Sequence, residues 1–210
     1  RCYQVLVLAR EQCAGDDPDW VTLNDSIEDV HHTINQCPNH VQEELQLVAR
    51  HIQYRATWEV VVQALNTPPE DVLTARSKWD EQVRMASSAV PALAPSVACS
   101  TYDDAASLDF ASITGSYLDT KHCAPPAIMQ KLVRLLGHVQ RIRQAVANHA
   151  WQEASDLLSQ CSTADVRRVA PVMADCVTRL TEIADEAFVR KVCEEAVASG
   201  RGAGVLGFME

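Results

Sequence analysis

Between residues 126 and 148 six apolar side chains, Ile128, Leu132, Leu135, Val139, Ile142 and Val146, recur at alternating steps of four and three. A period of 3.6 residues places all six on one stripe, so this stretch reads as about six turns of amphipathic helix. A stripe that long must be buried against another element, and the remaining chain offers only helices for the purpose. Seven glycines, nine prolines and 5% aromatic side chains are too few for a turn-rich β fold. The one stretch that could form a strand is 3–8. The expected fold is therefore all-α, either stacked antiparallel helical pairs of solenoid type or an irregular helical bundle.

Helix starts are marked along the chain. Asp17-Pro18 opens a helix over 18–36, an N-cap carboxylate followed by a proline harmless in the first turn. Cys37-Pro38 opens the next, with Val41, Leu45, Val48 and Ile52 on one face. Thr67-Pro68-Pro69-Glu70 starts a helix to about residue 87, the threonine hydroxyl being available as a cap. Ser162-Thr163-Ala164-Asp165 caps a helix to about 184, with a kink expected at Pro171. A last helix over 185–199 ends at Gly200, which tolerates the left-handed C-terminal conformation. The proline-interrupted stretch around 88–101 and the connector at 115–126 are the weakest segments, so 1–210 reads as one helical body with room for a weak boundary within 88–125. The chain opens at Arg1 and stops in mid-pattern, as expected of a piece of a longer protein.

A faint self-similarity runs through this pattern. Trp20, Trp58 and Trp151 are each followed by apolar residues at i+3 and i+7: Leu23 and Ile27, Val61 and Leu65, Ala154 and Leu158. The tryptophans are thus expected to be packing anchors of helical units. On these residues the chain resembles the helix-hairpin repeats of armadillo and HEAT-like α-solenoids, and the degenerate helical repeats of large protist cytoskeletal and flagellar scaffold proteins. That resemblance implies a structural role: stacked helical pairs that hold a spacing and present an extended surface.

Motifs for chemistry are scarce. No glycine-rich phosphate loop, nucleophile elbow or dinucleotide fingerprint occurs, so no cofactor is implied and the chain reads as a non-enzyme. Acidic runs at Asp16-Asp17-Pro18-Asp19 and Asp103-Asp104 are accounted for by helix capping. His31, His32, Cys37 and His40 gather four candidate metal ligands, the basis of an alternative reading as a helical metal-dependent enzyme or regulator. The spacing lacks the paired knuckles of a structural zinc site, and adjacent histidines on a helix point about 100° apart. Eight scattered cysteines in helical patterns suit buried thiols of a reducing compartment better than a disulfide framework.

Charge is the least random feature. The chain is acidic overall, with net charge −10, yet residues 120–152 contain no Asp or Glu and carry Lys121, Lys131, Arg134, Arg141 and Arg143. Lys131, Arg134, Arg141 and Arg143 on the 126–148 helix make it a basic amphipathic helix, suited to an acidic protein partner such as a calmodulin-like protein or a tubulin tail. Nucleic acid is disfavoured by the acidic whole and by the lack of aromatics among these basic residues. Membrane binding is disfavoured by the same lack of bulky aromatics, and no apolar run reaches the ~18 residues of a spanning helix. The expected placement is cytoplasmic, in association with cytoskeleton.

Overall fold

Proline sets the start of four of the eight helices among the described residues. The computed structural model describes residues 4, 7, 11, 19–31, 37–74, 78–93 and 123–198, with the side chains of 28–31 and 90–93 excepted. The helices are α1 (Trp20–His31), α2 (Asn39–Leu65), α3 (Pro69–Leu73), α4 (Lys78–Leu93), α5 (Pro126–Ala147), α6 (Trp151–Ser159), α7 (Thr163–Val169) and α8 (Pro171–Ala198). No strand occurs among the described residues, and Gln4 and Val7, inside the stretch expected to allow one, are helical. Pro38, Pro68 and Pro125 are N-caps, while Pro69, Pro126 and Pro171 occupy first helical positions. There a missing N–H costs nothing and the fixed φ is already helical.

The helix ends refine the sequence reading. Helix α1 is capped by Asp19, whose carboxylate accepts from the Thr22 N–H at 3.0 Å and hydroxyl at 2.7 Å. These bonds hold the Asp19 carboxyl below its usual range. The cap thus lies two residues beyond the expected Asp17. Thr67 does not cap the helix after it; its hydroxyl donates back to the Gln63 carbonyl at 2.9 Å and closes α2. The helix expected over 67–87 is two, because Thr74 turns extended (φ −71°, ψ 130°) and ends α3. Ser162 does cap α7, accepting from the Asp165 N–H at 3.4 Å. Pro171 breaks the chain instead of kinking it: Ala170 leaves helical geometry (φ −144°, ψ 80°) and a new helix begins. That helix, α8, runs without interruption through the position where a separate last helix was expected, and Gly200 lies outside the described residues. Trp58 lies within α2, which is continuous from Asn39 to Leu65.

The result is an irregular bundle. Helix α1 packs on α2, α2 on α4, α4 on α5 and α5 on α6; α7 packs along α8; and α8 closes the bundle against α3, α5 and α6. Helix α5 is the central strut, in contact with α2, α4, α6 and α8. Its expected stripe is buried at Leu132, Leu135, Val139 and Ile142, and so are Met129, Val133 and Leu136 on neighbouring faces. An amphipathic helix with one solvated face is therefore too simple a description. Buried residues of 58–86 and of 124–180 belong to one core, so the chain on either side of 94–122 is one packed unit.

Two small clusters lie apart from that core. One joins Val41 and Leu45 to Cys37 and Val48; the other joins Leu23 and Ile27 of α1 to Ile52 and Trp20. Trp20 is half-buried, with the Arg55 guanidinium 5.5 Å from its ring centre and the His51 ring edge-on at 5.7 Å. Of the cysteines, Cys123, Cys161, Cys176 and Cys193 are free. Burial pushes Cys161 up to about 11 and Cys176 up to about 12, which leaves both thiols inert. The reading of all cysteines as thiols fails at Cys37, which is disulfide-bonded.

Candidate interaction surface

The four basic residues expected to face a partner do not act alike. Arg143 is turned inward, with its side chain 12% exposed. It donates to the Val72 carbonyl at 2.8 Å and to the Asp80 carboxylate at 2.5 Å, and its guanidinium lies 5.4 Å from the Trp79 ring centre. A charge-assisted bond, a backbone bond and a cation–π contact fix it as a clamp between α3, α4 and α5. Lys131 and Arg134 are half-buried and each takes part in an interaction. Arg141 is exposed, with one nitrogen 3.3 Å from Nδ1 of His138.

His138 is also turned inward, toward α6. It is 3% exposed, and its Nε2 lies 2.8 Å from the Leu157 carbonyl on α6. Burial pushes its pKa below the ordinary 6.5, the Leu157 bond opposes this, and the Arg141 charge adds to the depression. The neutral ring carries its proton on Nε2, donates to Leu157 and offers Nδ1 as acceptor to Arg141.

Between α4 and α5 lies an open groove of about 710 Å³. One wall is Asp80, Glu81, Arg84, Ser87 and Ser88; the other is Gly137, Gln140, Arg141, Arg143 and Gln144. Asp80, Arg84, Ser87 and Ser88 share one face of α4 and Gly137, Gln140, Arg141 and Gln144 one face of α5, so each wall is a helical face about two turns long. Inside the groove Gln140 donates to Asp80 at 2.7 Å beside Arg143. Burial raises the Asp80 carboxyl, but the bonds from Arg143 and Gln140 outweigh it and hold the group below its ordinary 3.8. Arg84 and Glu81, both on α4, pair with each other. With Asp80 and Glu81 each bound to an arginine and no acid anywhere on α5, the groove carries a positive excess at Arg141. Arg134, Gly137, Arg141 and Gln144 share one line along α5 at i, i+3, i+7 and i+10. Gly137 is the single glycine among the described residues, and without a side chain there a partner can approach the helix backbone.

The three tryptophans expected to be packing anchors differ in burial. Trp58 is buried in the main core, whereas Trp20 and Trp151 are half-buried. The most deeply buried tryptophan is Trp79, 1% exposed, which the repeat pattern did not single out. Its signal was present as Val72, Trp79, Val83 and Ala86, at a helical period interrupted by the break after Thr74. The groove wall on α4 was likewise unmarked, because Arg84, Ser87 and Ser88 are ordinary solvated residues until α5 lies beside them.

Among the described residues no group of three or more His, Cys, Asp or Glu side chains could hold an ion, and of the candidate metal cluster only Cys37 and His40 have described side chains. His32 and the side chain of His31 lie outside them. His40 is exposed, and Cys37 has its sulfur in a disulfide, which is not the thiolate a metal requires. No described helix is long and apolar enough to cross a membrane. No family model, characterised protein or solved structure matches the chain.

Proposed function

We propose that this protein is a non-enzymatic interaction module, a helical scaffold segment whose α4–α5 groove docks an acidic helix or tail of another protein. The observation that carries the reading is the groove itself: two helical faces left open side by side, with both acids matched internally and Arg141 exposed at the rim. A groove about two turns long supports a small interface, below the ~1,200 Å² of stable complexes, so docking through it alone is weak and exchangeable. Several such contacts along an extended assembly would add by avidity, which suits a scaffold. Calmodulin-like proteins and tubulin tails have the matching chemistry, and a cytoskeletal placement follows from that choice of partner. The free, high-pKa thiols of Cys161 and Cys176 support a cytoplasmic setting; the Cys37 disulfide opposes it.

The test is binding of calmodulin and of a glutamate-rich tubulin-tail peptide to the whole chain at two salt concentrations. The expected result is capture of one of them that weakens with salt and falls at least tenfold, about 1.4 kcal/mol, in the Arg84→Glu, Arg141→Glu variant. Capture unchanged by the double reversal removes the proposal.

A further inference from the structure

Helix α8 outlasts the bundle it belongs to. Its buried residues end at Ala184, and the helix continues to Ala198, an overhang of about 20 Å. On this overhang Phe188, Val189 and Val192 are 57%, 60% and 45% exposed. At 100° per residue these three and Ala196 fall within one arc of about 100°, rotated away from the stripe that Met173, Val177, Leu180 and Ala184 bury in the core. Scattered exposed apolar residues need no explanation, but a continuous apolar face on a projecting helix marks an interaction site.

The charges around the face say what fits it. Asp185 lies on its line and Glu182 and Glu186 border one side; on the other side Glu195 is ion-paired with Lys191 at 3.9 Å, and Arg190 is carried to the back of the helix. An apolar strip with Asp185 on its line and carboxylates along one edge complements an apolar strip edged with lysine or arginine. A second copy of this chain would bring the same acids to the same edge, and each copy has net charge −10. An anionic lipid surface is repelled for the same reason. We infer that the α8 overhang is a docking face for a basic amphipathic helix of another protein, separate from the α4–α5 groove and opposite to it in the charge of the partner it takes.

The probe is an idealised amphipathic peptide of leucine and lysine, about five turns long, with a leucine–glutamate peptide of the same pattern as control. Binding to the full chain is followed by fluorescence anisotropy, and the helicity of each variant by circular dichroism. The lysine peptide should bind and the glutamate peptide should not. Phe188→Glu with Val192→Glu should cost at least tenfold in affinity, and Glu182→Lys with Glu186→Lys should cost affinity and flatten its salt dependence. The same number of reversals elsewhere, Glu43→Lys with Glu153→Lys, should leave binding unchanged and so separate docking from attraction to an acidic protein at large. Equal loss from both sets of reversals overturns the proposal, as does tight binding of the glutamate peptide. Concentration-dependent dimerisation of the unmodified chain that Phe188→Glu abolishes also overturns it, by naming a second copy as the occupant.

Discussion

The Trp79 indole N–H donates to the backbone carbonyl of Ala64 at 2.9 Å, within the fully buried contact between α4 and the end of α2. The Ala64 carbonyl lies in the last turn of α2, where intrahelical donors run out, and the indole supplies one. The Arg143 guanidinium stacks on the same ring, so one side chain joins three helices. Trp79→Phe keeps most of the buried area and removes the bond, and should cost about 1–2 kcal/mol. Trp79→Ala should cost about 3–5 kcal/mol. Urea denaturation of both variants checks the order; a Trp79→Phe loss near zero would show that the hydrogen bond contributes nothing.

Asp80 and Arg143 should make stability sensitive to acid. The folded carboxyl titrates below its ordinary 3.8, so its stabilising contribution is full above that value and is lost as pH falls through the folded pKa. Asp80→Asn should lower stability at neutral pH by leaving a mostly buried guanidinium with one partner fewer, and should flatten the acid limb of the stability curve below about pH 4. Parallel acid titrations of the two proteins by circular dichroism measure this.

His138 acts in a higher window and for the opposite chemical reason. Its neutral form is the one the fold accommodates, with the pKa depressed below 6.5, so the unfolded chain binds the proton first. Stability should therefore fall as pH drops through 6.5 toward the folded value and level off below it. Replacing His138 by Leu should remove this dependence. Denaturation midpoints at about pH 7.5 and 5.5 suffice to read it.

His149 occupies the left-handed region at φ 57°, the one positive φ among the described non-glycine residues. The bonds from Ala150 N–H to the Ala145 carbonyl and from His149 N–H to the Val146 carbonyl close α5 as a Schellman turn. Glycine is the residue this position favours, so His149→Gly should raise stability by about 0.5–1 kcal/mol, less the contact of His149 with the Trp151 ring at 5.2 Å. A thermal midpoint below that of the unmodified chain would show that the stacking outweighs the backbone.

Periodicity made the elements legible, and the environment of each face was not. The stripe from Leu132 to Ile142 was readable because apolar spacing is local information. That Met129, Val133, Leu136 and His138 are buried too depends on four neighbours of α5, which spacing along one helix does not encode. Pro38, Pro68 and Pro126 were read correctly as boundaries. Pro91, however, lies inside α4, which continues past the expected end at about 87 to Leu93, and whether Pro171 kinks or restarts a helix depends on Ala170 leaving helical geometry. Charge runs were visible while their use was not: Arg143 reads like Arg141 in the sequence, and only the packing of α3 and α4 turns it inward. The groove belongs to two helices separated by residues 94–122, so no local pattern marks it.

The proposed docking face for acidic partners is the α4–α5 groove. Hydrogen exchange of the whole chain, with and without saturating glutamate-rich helical peptide, tests it most directly. Slowed exchange confined to residues 80–88 and 137–144, reversed by salt and absent in the Arg84→Glu, Arg141→Glu variant, is expected. Peptide-induced protection elsewhere on the chain, with none along those two stretches, would contradict it.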